Sequence, residues 1–106
     1  MMTRGVRRLA LLGALLLGSV ALATVDDGIR YYNNKDYASA AREFMTAAFE
    51  GNAAGQAWIG FLYSEGQGVH QDYAQAASWY RKAADQGRVD AQNNLGVLYE
   101  KGQGVK

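Results

Sequence analysis

Apolar and small residues return every three or four positions from Tyr37 onward. Tyr37, Ala40, Ala41, Phe44, Ala47 and Ala48 fall on one side of a helix. Tyr73, Ala76, Ala77, Tyr80, Ala83 and Ala84 repeat that side 36 positions later, with the 3.6-residue period of an amphipathic helix. A second apolar stripe follows each of these: Ile59, Leu62 and Tyr63 in one copy, Leu95, Leu98 and Tyr99 in the other. Laying Asp36–His70 over Asp72–Lys106 makes 16 of 35 pairs identical. A period of this length means a stack of supersecondary units, each too small to bury its own apolar side. Five helices are predicted, over about 25–33, 36–50, 53–65, 72–86 and 90–101.

Punctuation supports these elements. Asp36 and Asp72 stand where an N-cap carboxylate would accept from free first-turn N–H groups. Gly51 and Gly87 stand where the chain leaves a helix, in the left-handed conformation that lacks a Cβ penalty only for glycine. Gly60 and Gly96 interrupt otherwise good helices. Each costs about 0.5–1 kcal/mol against alanine, so close approach of a neighbouring, alanine-rich helix is expected at both, with a kink as the alternative. The Glu65-Gly66-Gln67-Gly68-Val69 and Lys101-Gly102-Gln103-Gly104-Val105 segments read as reversals, with each valine an apolar plug. Their G-x-G fragment follows a helix and lacks a third glycine and a P-loop lysine, unlike a phosphate-binding turn.

Ahead of the repeats, Gly28 and Tyr31 stand 32 residues before Gly60 and Tyr63. They mark a short first helix, with Asp26 or Asp27 at its start and Asn33-Asn34-Lys35 as a tight turn. Its connection is four residues shorter than the glycine-containing ones. Residues 1–23 have the layout of a secretory signal peptide. Arg4, Arg7 and Arg8 form a basic head, Leu9–Val20 an uncharged apolar core, and Ala21-Leu22-Ala23 a small-x-small cleavage site. Cleavage after Ala23 leaves residues 24–106 as a helical repeat domain of about two and a half units in the periplasm or secreted space. The alternative is an uncleaved inner-membrane anchor over Leu9–Val25, the one route to the membrane that the sequence offers. The sequence ends after the loop that should lead into another helix. An open C-terminal face, available for self-association, is therefore expected unless more chain follows.

Charge narrows the partners. The chain holds 11 basic and 10 acidic residues; without the three leader arginines, eight against ten leaves a mildly acidic domain. No basic cluster tracks a phosphate backbone, which argues against nucleic acid. There is no cysteine, hence no disulfide or lipidated thiol, and one histidine. His70 therefore lacks a partner imidazole or thiolate for a metal. Ser64, His70 and Asp72 supply the residue types of a hydrolase triad, but without a nucleophile-elbow sequence they read as ordinary loop and cap residues. Asp26-Asp27 reads as a helix cap. No catalytic constellation emerges, and no cofactor or metal is called for. Trp79 is expected to extend the packing face toward the next unit and Trp58 to pack beneath the first hairpin.

Ile59-Gly60-Phe61-Leu62-Tyr63, Gly66-Gln67-Gly68-Val69, Asp72-Tyr73, Ala76, Trp79-Tyr80-Arg81-Lys82-Ala83-Ala84 and Gly87 together resemble the SEL-one-like repeat family. These are relatives of the tetratricopeptide repeat with a longer inter-helix loop, and the resemblance covers about Gly28–Val105. Departures are Glu43 and Phe44 in place of Trp79 and Tyr80, the absence of a lysine at Ser39 or Gln75, and the lack of the disulfide found in some bacterial members. The resemblance implies an all-α, right-handed superhelical stack of antiparallel helix pairs, an α-solenoid. It also implies an adaptor or scaffold role, in exported bacterial members often at the envelope or in host contact.

In such a stack the first helix of each pair lines the inner side. Spacing around the glycines assigns that side to Ile29, Tyr32, Ala57, Phe61, Ser64, Asn93, Val97 and Glu100, a modestly apolar face suited to an extended peptide or a partner helix. Alternatively, some of these residues serve packing alone. The leading functional expectation is non-enzymatic binding of a protein. A glycan- or peptidoglycan-associated binding or hydrolytic protein of the envelope, using Tyr63, Trp58 and Trp79, is the alternative, and a purely structural self-pairing role is a third.

Overall fold

The structure, a computed structural model, describes residues 24–105. The leader, its cleavage site after Ala23 and most of the alternative anchor segment lie outside the described residues. Five helices follow in order: α1 (24–33), α2 (Tyr37–Phe49), α3 (Ala53–Glu65), α4 (Tyr73–Asp85) and α5 (Val89–Lys101). Each agrees with the periodicity to within a residue or so. No strand occurs among the described residues. No helix among them is long and apolar enough to cross a membrane.

The helix starts follow from local chemistry. The Asp36 and Asp72 carboxylates accept from the Ser39 and Gln75 N–H groups at 3.2 and 3.0 Å, and Asn52 does the same for Gly55 at 2.9 Å, satisfying donors that a helix start leaves free. Around Asp36, the Ser39 hydrogen bonds hold the carboxyl below the ordinary aspartate value. Asp26 and Asp27 do not cap, because α1 already includes residue 24. Asp27 instead pairs with Arg30 at 2.6 Å, one turn on, an exposed contact of small energetic weight.

Neighbouring helices pack in sequence: α3 lies against both α2 and α4, and α4 against α5. Two clusters form the core. In the first, Ala40, Phe44 and Ala47 of α2 meet Ile59 and Leu62 of α3, with Val25 and Trp79 at its borders. In the second, Ala76, Tyr80 and Ala83 of α4 meet Ala57 of α3 and Ala91 and Leu98 of α5. One hairpin could not close either cluster, which is why the units must stack.

Glycine spacing sets two of the approaches. A Cβ on Gly28 would lie 2.5 Å from the Phe44 ring, and one on Gly60 2.9 Å from the Tyr80 ring, so these positions seat an aromatic of the following helix. At Gly60 the expected alanine-rich helix does approach, with the Ala76 carbonyl 3.3 Å from the Cβ position, and the Tyr80 ring of that helix comes closer still. Gly96 departs from the expectation altogether: it is exposed and nothing approaches its Cβ position within 4 Å. The helix that would bring the next aromatic would lie past Lys106 in the repeat register.

The loop glycines place the reversals. Gly68 has φ +74°, and its Cα lies over the Tyr37 carbonyl so closely that no side chain fits; Gly104 repeats this over Tyr73. Val69 and Val105 pack onto the first and second clusters, as the plug reading requires. A glutamine shared by both copies adds a polar tie. Gln56 and Gln92 donate to the Ala48 and Ala84 carbonyls near the ends of α2 and α4, at 3.3 and 3.2 Å. Gln86 then donates to the side-chain oxygen of buried Gln56 at 2.9 Å. Trp79 turns back toward α2 of the preceding unit, meeting the Phe49 ring edge-on at 5.3 Å. That reverses the expected direction, because the first cluster offers apolar surface there.

Candidate protein-binding face

The residues assigned to the inner face lie on α1, α3 and α5, and the structure brings part of that set together. At its α1 end the surface is filled with rings. Trp58 stacks on Phe44 with centroids 4.8 Å apart and planes 7° from parallel. Tyr32 packs on Tyr37, Trp58 and Phe61 at 5.1, 5.3 and 6.2 Å, and its hydroxyl donates to the Gln67 side-chain oxygen at 3.1 Å. Offset and edge-on rings of this kind add about 0.5–1.5 kcal/mol per pair beyond their burial. Tyr32 and Phe61 thus face this side while also packing, and Ile29 is half-buried against the first cluster.

Between α3 and α5 the same surface opens. One depression of about 210 Å³ is lined by Ala57, Trp58, Phe61, Asp90 and Asn94. A second, of about 200 Å³, shares Phe61 and Asn94 and adds Ser64, Glu65, Tyr73, Tyr80, Val97, Leu98, Lys101 and Gln103. Four of the eight assigned residues, Ala57, Phe61, Ser64 and Val97, therefore line two adjoining pockets. Asn93 and Glu100 are exposed on α5 but line neither. Spacing around the glycines missed Trp58, Asn94 and Gln103. Trp58 and Asn94 are the same repeat position, and Gln103 belongs to the duplicated Gly-Gln-Gly, which was a usable signal.

Tyr80 forms the floor of the second pocket. It is 2% exposed, with its hydroxyl 3.5 Å from the Ser64 hydroxyl. Burial pushes its phenol above the ordinary 10.0 and the nearby Glu65 and Asp90 carboxylates push the same way, while hydrogen bonds with Ser64 and Asn94 oppose this. A phenol that ionises later in the folded chain than in the unfolded one contributes stability that is complete below pH 10.0. That contribution is lost as pH rises through the folded value. Urea melts across alkaline pH should show stability falling from about pH 10, with a shallower fall in Tyr80→Phe; equal slopes would remove Tyr80 as the cause. At the pocket rim, the Arg88 hydrogen bonds hold the Asp90 carboxyl below its usual value.

A third depression, about 440 Å³, lies between α2 and the loop that joins α3 to α4, lined by Ala38, Ala41, Arg42, Met45, Thr46, Phe49, Gly68 and Val69. Phe49 is 74% exposed there. The sequence reading did not identify this stripe, because Asp85 holds the position of Phe49 in the second copy. Elsewhere the candidate chemistry disperses. Ser64 donates to the Phe61 carbonyl at 2.9 Å, Asp72 caps α4, and His70 is exposed in its loop. Among the described residues no three His, Cys, Asp or Glu side chains group as a metal site would need.

Stacked helical hairpins of this kind define an all-α repeat solenoid. The Sel1 repeat matches residues 53–87 and 89–106, half of the sequence. The chain belongs to the Sel1 repeat family, whose members generally mediate protein–protein interaction and are generally non-catalytic. It is similar to the crystal structure of a protective antigen of uropathogenic Escherichia coli with an SLR fold, at 44% identity and a TM-score of 0.77 over 81% of this chain. A Sel1 repeat protein from Oxalobacter formigenes is also similar, at 44% identity and a TM-score of 0.71 over 76% of this chain. The chain spans 19% and 33% of the length of these two proteins. No curated protein sequence matches it.

Proposed function

We propose that this chain is an exported scaffold that binds a peptide or helix of another protein on the surface formed by α3 and α5. The observation that carries this reading is the pair of adjoining pockets around Phe61 and Asn94, about 210 and 200 Å³. Each suits one side chain, being smaller than the clefts of about 300–1,000 Å³ that hold whole small-molecule ligands. Side-chain-sized pockets spaced along a helix pair are what an extended or helical peptide requires. Export is supported by the basic head and apolar core of residues 1–23, and a protective antigen among the similar proteins accords with a location outside the cytoplasm.

A photoreactive amino acid at Val97 should cross-link one protein partner in the producing cells, while the same group at Arg81, on α4 away from both pockets, should not. Equal background from both positions would sink the reading. For export, the N-terminus of the purified product should begin at Thr24; a chain retaining Met1 would favour the anchored form.

A further inference from the structure

The two halves of the inner surface are the same site in two states, one filled and one empty. In the repeat register Tyr32 corresponds to Ser64, and its four neighbours Tyr37, Trp58, Phe61 and Gln67 correspond to Tyr73, Asn94, Val97 and Gln103. Tyr32 fills the first site, with its ring against three aromatic rings and its hydroxyl on Gln67. Ser64 and the four counterparts all line the second pocket. Replacing Tyr by Ser, Trp by Asn and Phe by Val removes three of the four rings and keeps the Tyr73 ring and the Gln103 acceptor. What remains is a depression of about 200 Å³ at the position that corresponds to the Tyr32 ring. A cavity of about 150 Å³ suffices for a benzene ring.

From this correspondence we infer that the pocket between α3 and α5 takes a tyrosine side chain of the bound partner, stacked on Tyr73 and Val97 with its hydroxyl donating to Gln103. The inference rests on the peptide-scaffold reading and deepens it. The charges at the mouth select the neutral phenol. Glu65 and Lys101 line the pocket as one acid and one base, and Asp90 lines the adjoining depression. Asp90 is itself paired with Arg88 at 2.7 Å, so the mouth carries balanced charge, and a phosphorylated or carboxylate-bearing ring would lose hydration there with no unmatched cation to offset it.

The test uses p-cresol, the tyrosine side chain as a free molecule, titrated into the isotope-labelled full chain and followed by NMR. Amide and side-chain signals of Tyr73, Asn94 and Val97 should move together and saturate. Toluene should bind about tenfold more weakly, because it leaves the Gln103 acceptor unused, and phenyl phosphate should not bind. Ser64→Tyr fills the pocket from within and should abolish the p-cresol shifts. Gln103→Leu, a change in the loop that leaves both helices intact, should erase the preference for p-cresol over toluene. Absence of saturable shifts in the wild type, retention of them in Ser64→Tyr, or equal binding of toluene would each overturn the assignment. Selection of binding peptides separates this from the broader reading. Peptides that seat on α3 and α5 without tyrosine would overturn the tyrosine assignment and leave the scaffold standing. Absence of the Val97 cross-link together with intact p-cresol binding would overturn the scaffold reading, and with it the partner that supplies the tyrosine, and leave only a pocket with affinity for a phenol.

Discussion

Phe44→Ala is expected to lower unfolding free energy by about 3–5 kcal/mol, the range for truncating a fully buried phenylalanine. Burial and two separate contacts are lost together. Phe44 is 0% exposed, lies face to face with Trp58 at 4.8 Å, and occupies the space that Gly28 leaves open. A glycine on α1 leaves no methyl group to lean into the void, so the surroundings collapse poorly. Small domains have about 5–15 kcal/mol in total, and a short stack is toward the lower end because little of its surface is buried. Urea denaturation followed by far-ultraviolet circular dichroism should therefore show a midpoint shifted far down, or no folded baseline. A shift below about 1 kcal/mol would mean that α1 and α2 are not joined through this ring.

Gly68→Ala should be the second large loss, about 3 kcal/mol or more from combined strain and overlap. Gly51→Ala provides the control that separates the two causes. Both glycines have positive φ, +74° and +87°, but nothing lies within 4 Å of a Cβ at Gly51, whereas at Gly68 it would overlap the Tyr37 carbonyl and the Ala38 nitrogen. Gly51→Ala should cost only the left-handed penalty, about 1–2 kcal/mol. The excess at Gly68 measures how firmly the loop is pinned to the start of α2. Similar losses at both sites would show that the loop can lift away, and would weaken the role given to the Gly-Gln-Gly segment in placing Gln67 under Tyr32.

The contrast between these glycines shows where reading the chain succeeds. Helix positions were legible because alanine and aromatic residues repeat at helical spacing and because Asp36, Asp72 and the glycines punctuate them. α3 matched its expected bounds to the residue. The reach of Gly60 was legible as a close approach but its partner was not, since the spacing within one helix says nothing about which ring of the next will meet it. Gly96 differs for a related reason: the helix that would stand over it in the repeat register would lie past Lys106, outside the described residues. Trp79 was placed on the correct face and pointed the wrong way, because a large ring goes to whichever cluster has unfilled apolar surface, here the one holding Phe49.

For the pockets the division is sharper. Ser64, Asn94, Val97 and Gln103 differ from or match their counterparts in plain view, so the substitutions that empty the second site are readable in the chain. That these four positions converge is not readable, because they come from two helices and a loop whose meeting depends on how the hairpins stack. Local spacing and capping, which act within about one helical turn, therefore settled the helices, their order and the duplicated unit. Packing between units, which acts across 30 or more residues of chain, as between Tyr32 and Gln67, settled which of two equivalent sites is filled with rings and which is open.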